Sequence, residues 1–227
     1  LKWIEIEGLF SHFAASETNQ KITRQQLNLF KKLVMKLEES NIKIPIKHFA
    51  CSAAAMLQSD SHFDMVRLGI SAYGLWPSIQ TKKIAQKLFG KNFNLKPVLS
   101  LYTKIVQIKE ISKGTYVGYD CTKKVNQKTK LAVLPIGYWD GFDRRLSNDS
   151  YVLIKGNRCA ILGRVCMNLI MVDITKIKNV KVGDRVTLIG KDKQLEITAD
   201  MWAKQIGTIN YEITTRINPL ITRKYVQ

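Results

Sequence analysis

Three short stretches of this 227-residue sequence set chemically capable side chains beside turn-forming glycines. Gly137-Tyr138-Trp139-Asp140-Gly141 follows the apolar run Leu131–Ile136 and puts a phenol on a turn bracketed by glycines. Backbone can approach a ligand closely at such a place, and a phenol there can give or take a proton. The same five residues also suit a tight turn with a packed tyrosine. Gly163-Arg164-Val165-Cys166-Met167-Asn168 is a second dense cluster, although a Cys-Met pair equally suits a core. Arg67-Leu68-Gly69-Ile70 closes a predicted strand with an arginine and a glycine. At the C-terminal mouth of a parallel barrel, such residues hold phosphates or polar ligand atoms through side chains and amides. A solvated surface charge accounts for the arginine as well.

The elements that must position these residues come in two textures. Residues 1 to about 90 alternate strands and helices. Trp3 to His12 is expected as a buried strand, and Thr23-Arg24-Gln25-Gln26 as a capping box with Ile22 and Leu27 as its hydrophobic staple. Leu27, Phe30, Leu33, Val34 and Leu37 then form an apolar stripe at helical spacing. Ile44–Cys51 and Met65–Ile70 are the next expected strands, and Ile79–Phe89 a closing helix. Strand-helix alternation is the mark of parallel β/α units, yet an eight-stranded barrel takes about 250 residues and three strands cannot close one.

From about Leu95 short strands replace this pattern. They are expected at Val98–Ile111, Lys130–Ile136, Tyr151–Ile154, Leu169–Ile174 and Arg185–Ile189, with turns at Lys113-Gly114, Lys155-Gly156-Asn157 and Val182-Gly183-Asp184. A helix over Thr198–Ile206 and a last extended run, Thr208–Thr215, follow. Short connections make this part antiparallel.

Composition sets the outer bounds. No apolar run is long enough to span a bilayer, and no secretory pattern is present. Cys51, Cys121, Cys159 and Cys166 lack paired spacing, which points to reduced thiols and a cytoplasmic protein, and no Cys/His cluster has the spacing of a zinc site. The net charge of +18 could serve nucleic acid, but the lysines are scattered singly or in pairs and greatly outnumber the arginines. A solvated lysine-rich surface is the expectation, with no nucleic-acid or membrane partner. The chain opens abruptly at Leu1-Lys2-Trp3-Ile4-Glu5-Ile6, as a piece of a longer protein would.

In order along the chain, these clusters resemble the alanine racemase family. The matching segments are Glu7–Ala14, His48–Ala53, Val66–Ile70 with Tyr73-Gly74-Leu75, Val117-Gly118-Tyr119, Gly137–Gly141, Gly163–Met167 and Tyr211-Glu212-Ile213. The resemblance covers essentially the whole chain and implies α/β plus β architecture. Residues 1–93 would be the last three β/α units of a TIM-type (β/α)8 barrel that binds the cofactor, and 94–227 a mostly antiparallel C-terminal β domain. It implies a pyridoxal 5'-phosphate enzyme that interconverts L- and D-alanine, supplies D-alanine for peptidoglycan, and works as a homodimer with shared active sites. The cofactor-bearing lysine would lie upstream of this chain, which by itself would be inactive and prone to aggregate through open strand edges.

By the same resemblance Tyr138 is the catalytic tyrosine on one face of the substrate, opposite that lysine. Arg67 meets the cofactor's ring nitrogen, and His12 is a catalytic-site residue that supports both that arginine and the catalytic tyrosine; a satisfied core histidine is the alternative for His12. Ser52, the amides of Gly69 and Ile70, and the Tyr211 hydroxyl would hold the phosphate. Met167 would offer its amide to the substrate carboxylate, and Arg164 and Ile209 would line the channel by which substrate enters. No metal is implied. Cys51 replaces an asparagine of the cofactor site, Asn168 an aspartate, and Trp139 a small residue, and the last two bear on substrate preference. A racemase of serine, lysine or a broader set remains an alternative, as does a non-catalytic assembly or basic binding fragment.

Overall fold

A computed structural model describes residues 3–226 of the chain. Leu1 and Lys2, where the abrupt opening begins, lie outside the described residues. The chain divides into two compact units between Val98 and Leu99.

The first unit carries β1 (Gly8–Phe10), α1 (Gln20–Glu39), β2 (Ile46–His48), α2 (Ser52–Leu57) and α3 (Ile79–Phe89). β1 and β2 pair in parallel, Gly8 opposite Ile46 and Phe10 opposite His48. Gly8 permits this closeness, since a Cβ there would stand 3.0 Å from the Ile46 carbonyl oxygen. The strand expected over Trp3–His12 is only three residues long, and Trp3, Ile4, Ile6 and Phe10 are exposed. Its apolar residues favour a buried strand, but among the described residues β2 alone pairs with it, on one edge. The strand expected over Met65–Ile70 reduces to a parallel bridge between Met65 and His48 and a bond from the Arg67 amide to the Ala50 carbonyl. Among the described residues there is no closed barrel.

α1 begins earlier than the expected capping box. Asn19 is the cap, its side chain accepting from the Ile22 amide at 3.1 Å. Thr23 is instead buried inside the first turn, donating to the carbonyls of Asn19 (2.7 Å) and Ala15 (3.0 Å). Gln26 reaches outside the helix to accept from the Ala14 amide. This leaves Ile22 exposed and unable to act as a staple. The apolar stripe is real: Leu27 and Phe30 join Phe13, Phe49, Ala50 and Ala54 in one core, Phe13 stacking on Phe49 at 4.0 Å, while Leu33 stays exposed. That core fixes the ends of β1 and β2, from which His12 and Arg67's partners project.

The second unit is antiparallel. β3 (Leu101–Lys104), β4 (Gln107–Ile111), β5 (Tyr116–Val117), β6 (Lys123–Lys124), β7 (Thr129–Leu134) and β8 (Tyr151–Ile154) come first. β9 (Asn157–Ala160), β10 (Ile170–Asp173), β11 (Arg185–Asp192), β12 (Leu195–Ile197), α4 (Ala199–Ile206) and α5 (Asn210–Thr215) follow. One sheet runs β10-β7-β4; another runs β12-β11-β8-β9 with β3 also on β11; β5 pairs with β6. The run expected to be extended over Thr208–Thr215 is helical from Asn210. Its β-branched residues favour a strand locally, but the hydroxyls of Thr214 and Thr215 satisfy carbonyls one turn back and Ile213 is buried. On α4, Trp202 meets Phe142 edge-on at 4.8 Å, so the segment just after Gly137–Gly141 is anchored in the core.

Candidate active site

The candidate residues fall into two clusters, one in each unit. In the first, Arg67 is clamped by the ends of β1 and β2. Its Nη2 donates to the carbonyls of Ser11 (2.7 Å) and Phe49 (3.3 Å) and to His12 Nδ1 (3.1 Å). Its Nη1 donates to the His48 carbonyl at 3.2 Å and to His48 Nδ1. Phe10 lies under the guanidinium, 5.4 Å from its ring centre. Arginine only donates, so both imidazoles accept at Nδ1 and, when neutral, carry their proton on Nε2.

His48 is a partner of Arg67 that sequence reasoning did not single out. Burial, and then the Arg67 charge, hold its pKa below the ordinary histidine value. The unfolded chain therefore takes up that proton more readily. Stability is expected to be full above about pH 6.5, the unfolded value, and to fall as the pH drops through it. Urea unfolding between pH 8 and 5 checks this. His48→Gln should flatten the dependence.

Four residues downstream of His48, Ser52 opens α2, with its Oγ accepting from the amides of Gly69 (3.0 Å) and Ser71 (3.4 Å). The hydroxyl keeps its own proton to donate. Beside Gly69 a Cβ would meet nothing within 4 Å, so its backbone faces open space, and Ile70 follows directly as the first residue of a 3-10 turn. The buried Ser71 Oγ has no hydrogen-bond partner among the described residues. The spare Ser52 O–H donor beside this open space, with an unused buried hydroxyl, suits an anion such as a phosphate monoester. Cys51 precedes α2 without capping it; its Sγ lies 3.3 Å from the Ser16 Oγ.

The second cluster is built on backbone contacts. The amides of Tyr138 and Trp139 each donate, at 3.0 Å, to the carbonyls of Cys166 and Met167. This sets the Tyr138 turn directly on the Arg164–Met167 segment. Glycine is required: a Cβ on Gly137 would stand 2.2 Å from the Cys166 oxygen and 2.3 Å from that of Met167. Gly137→Ala is expected to cost about 1–3 kcal/mol, the scale of overpacking, by forcing the turn off its seat. Denaturant unfolding measures the loss.

The turn is also closed on itself and against the segment after α5. Asp140 Oδ2 accepts from the Gly137 amide at 2.9 Å. Asn218 donates from Nδ2 to the Trp139 carbonyl (3.1 Å) and from its amide to the Asp140 carbonyl (3.3 Å). Tyr138, Trp139 and Met167 remain exposed on this frame, Tyr138 at 44%. Tyr211 lies in the first turn of α5, and Ile209, exposed, is that helix's N-cap. Arg164 pairs with Asp120, its Nε 3.3 Å from the carboxylate. Burial pushes the Cys166 thiol up, with the Arg144 charge working against it.

His12 with Arg67, Ser52 with Gly69, and Tyr138 with Met167 are thus brought together within their units. Asn218 and Asp120, like His48, were missed; the Asn218-Pro219 step is a turn signal, but its partner is 79 residues away. Among the described residues, no group of three or more His, Cys, Asp or Glu could hold a metal ion, and no helix is long and apolar enough to cross a membrane.

Residues 98–225 match the family model "Alanine racemase, C-terminal domain", and residues 1–77 match "Alanine racemase, N-terminal domain". The alanine racemase of Leptospira interrogans is 41% identical over 97% of this chain and 57% of its own length. That of Halothermothrix orenii is 44% identical over 98% of this chain and 57% of its own length. Among solved structures, alanine racemase of Clostridium difficile 630 in complex with cycloserine superposes with a TM-score of 0.85 at 41% identity, covering 96% of this chain and 55% of that one. The alanine racemase of Bacillus anthracis with bound L-Ala-P gives 0.83 at 37% identity, covering 94% and 53%. The chain spans a little over half the length of these relatives.

Proposed function

Because the chain belongs to the alanine racemase family, we propose that the whole protein interconverts L- and D-alanine with pyridoxal 5'-phosphate, and that this chain supplies its C-terminal part. On this reading the first unit completes a cofactor-binding (β/α)8 barrel and the second is the C-terminal β domain. Two copies form a homodimer whose active sites draw on both subunits. The protein is cytoplasmic, and its D-alanine serves peptidoglycan.

The observation that carries the reading is the seating of Tyr138. Two backbone hydrogen bonds seat its turn on Cys166 and Met167, so an exposed tyrosine is carried by a turn packed on the residue whose amide is proposed to receive a substrate carboxylate. When bound, pyridoxal phosphate acidifies the Cα–H of an attached amino acid by drawing off electron density. Inverting the centre then needs a proton removed from one face and returned to the other. Tyr138 serves one face and a lysine upstream of this chain the other. Cationic or hydrogen-bonding neighbours help a phenol to serve as a base.

Arg67 would offer a guanidinium donor to the cofactor ring nitrogen and, since arginine keeps its proton, would leave that nitrogen largely unprotonated. His12 and His48 hold Arg67 through Nδ1. The phosphate would be held by the Ser52 hydroxyl, the Ile70 amide and the Tyr211 hydroxyl, with the Gly69 amide turning to it from the Ser52 oxygen that it meets here, in a setting to which Cys51 belongs. Arg164 and Ile209 line the channel to the site.

The test is racemisation by the full-length protein supplied with pyridoxal phosphate. L-Alanine should yield D-alanine, measured by oxidation with a D-amino-acid oxidase, in preference to turnover of serine or lysine. Equal or better turnover of those amino acids would reassign the substrate, and no racemisation of any would overturn the reading.

A further inference from the structure

In the loop that follows β5, three of the four residues from Gly118 to Cys121 take a left-handed backbone: Gly118 (φ 77), Asp120 (φ 59) and Cys121 (φ 50). Side chains other than glycine are uncommon in that region, although aspartate tolerates it better than most. Asp120 is held there over two arginines. Its Oδ2 lies 3.3 Å from Arg164 Nε and 3.8 Å from Arg144 Nη2. The Arg164 Nε is buried and makes no hydrogen bond among the described residues, so the Asp120 carboxylate is the charge that faces it.

The surrounding loops cannot drift apart. A Cβ on Gly163 would stand 2.3 Å from the Val117 oxygen, and one on Gly118 would stand 3.1 Å from the Arg164 amide nitrogen, so the two backbones are in contact. Asn148 ties both to a third loop, its Oδ1 accepting from the Gly163 amide at 2.7 Å and its Nδ2 donating to Thr122 Oγ1 at 3.0 Å. Val165 donates to the Ser147 hydroxyl at 2.9 Å. The same segment, Gly163 to Met167, seats the Tyr138 turn. Asp120 is therefore built into the frame of the second cluster, with its carboxylate facing the buried Nε of Arg164.

We propose that Asp120 is a specificity-determining residue: it positions Arg164 and cancels part of the positive charge of the Arg144–Arg164 pair, so that molecules bearing a second carboxylate gain no foothold beside the site. This rests on the reading of Arg164 as lining the substrate channel. Alanine, a zwitterion with no further charge, loses nothing by the cancellation. A dicarboxylate would be drawn to two uncompensated arginines.

The test uses the full-length holoenzyme with two substitutions. Asp120→Asn keeps a residue that tolerates the left-handed backbone, and Asp120→Gly removes the carboxylate while relieving it. Succinate is the probe, and its binding is followed by calorimetry, which needs no turnover, beside alanine kinetics. Both variants should bind succinate roughly threefold more tightly than wild type at low salt, the scale of one exposed charge, with the difference lost at about 1 M salt. Wild-type succinate affinity in both variants, or a gain that salt leaves untouched, overturns the role of Asp120 even if alanine is racemised normally. Absence of alanine racemisation by wild type overturns the functional reading instead, and the calorimetry still decides whether Asp120 screens the arginine pair.

Discussion

Tyr138→Phe in the full-length protein is expected to lower alanine racemisation by about 10²- to 10⁴-fold, the usual contribution of a positioned acid–base group. The substitution removes one oxygen and leaves the ring, and the backbone bonds to Cys166 and Met167 that seat the turn do not involve the hydroxyl. Folding and cofactor absorbance should therefore be unchanged. Thermodynamics adds a second constraint. Enantiomers have equal free energy, so kcat/KM must fall by the same factor in both directions, although kcat and KM taken singly need not. A loss in one direction only would mean a faulty assay; a loss under about tenfold would mean that Tyr138 is not the proton carrier.

Substitution of Arg67 is expected to have the next largest effect, on stability as well as rate. Its two terminal nitrogens satisfy the carbonyls of Ser11, His48 and Phe49 and the imidazoles of His12 and His48. Arg67→Leu keeps an apolar stem but strands these acceptors at the ends of both strands. The loss should be about 2–3 kcal/mol, the scale of hydrogen bonds made by a charged donor, partly offset by water where the site is open. Arg67→Lys should recover only part of it, because one ammonium cannot satisfy the separate acceptors that the planar fork spans. Urea unfolding of both variants measures the difference. Equal stability in Arg67→Leu and wild type would remove Arg67 as the clamp between β1 and β2.

Much of the fold could be read where local chemistry decides it. The helix expected over Ile79–Phe89 has those bounds, since Ser78 caps it by accepting from the Thr81 amide at 3.1 Å and Gly90 (φ 100) ends it. Tyr151–Ile154 is likewise a strand as expected, because its buried apolar run is flanked by strong turn residues. Thr23 misled because a threonine three residues before a glutamine looks like a cap, whereas this one is buried and Asn19 precedes it. Thr208–Thr215 misled because β-branched residues prefer strands until a helix satisfies their hydroxyls and buries Ile213. The opening segment misled because a strand's length depends on what pairs with it, and among the described residues β1 has a partner on one edge only.

The site was legible through its glycines more than through its acids and bases. Gly137 is demanded by the Cys166 and Met167 carbonyls, and Gly69 stands at the open side of the Ser52 cup. The partners of these residues were hidden for a physical reason. His48 acquires its role from Arg67, 19 positions on, and Asn218 from the Trp139 carbonyl, 79 positions back. Asp120 depends on a backbone angle that no side-chain pattern reveals.

One measurement bears most directly on the assignment of Tyr138. The full-length Tyr138→Phe protein, loaded with pyridoxal phosphate, is incubated in D2O with each alanine enantiomer separately, and deuterium at Cα is read by NMR or mass spectrometry. With the phenol gone, one enantiomer should still wash deuterium in at near the wild-type rate, through the base on the other face, while the other enantiomer should scarcely exchange. Exchange of both enantiomers at wild-type rates would contradict the account.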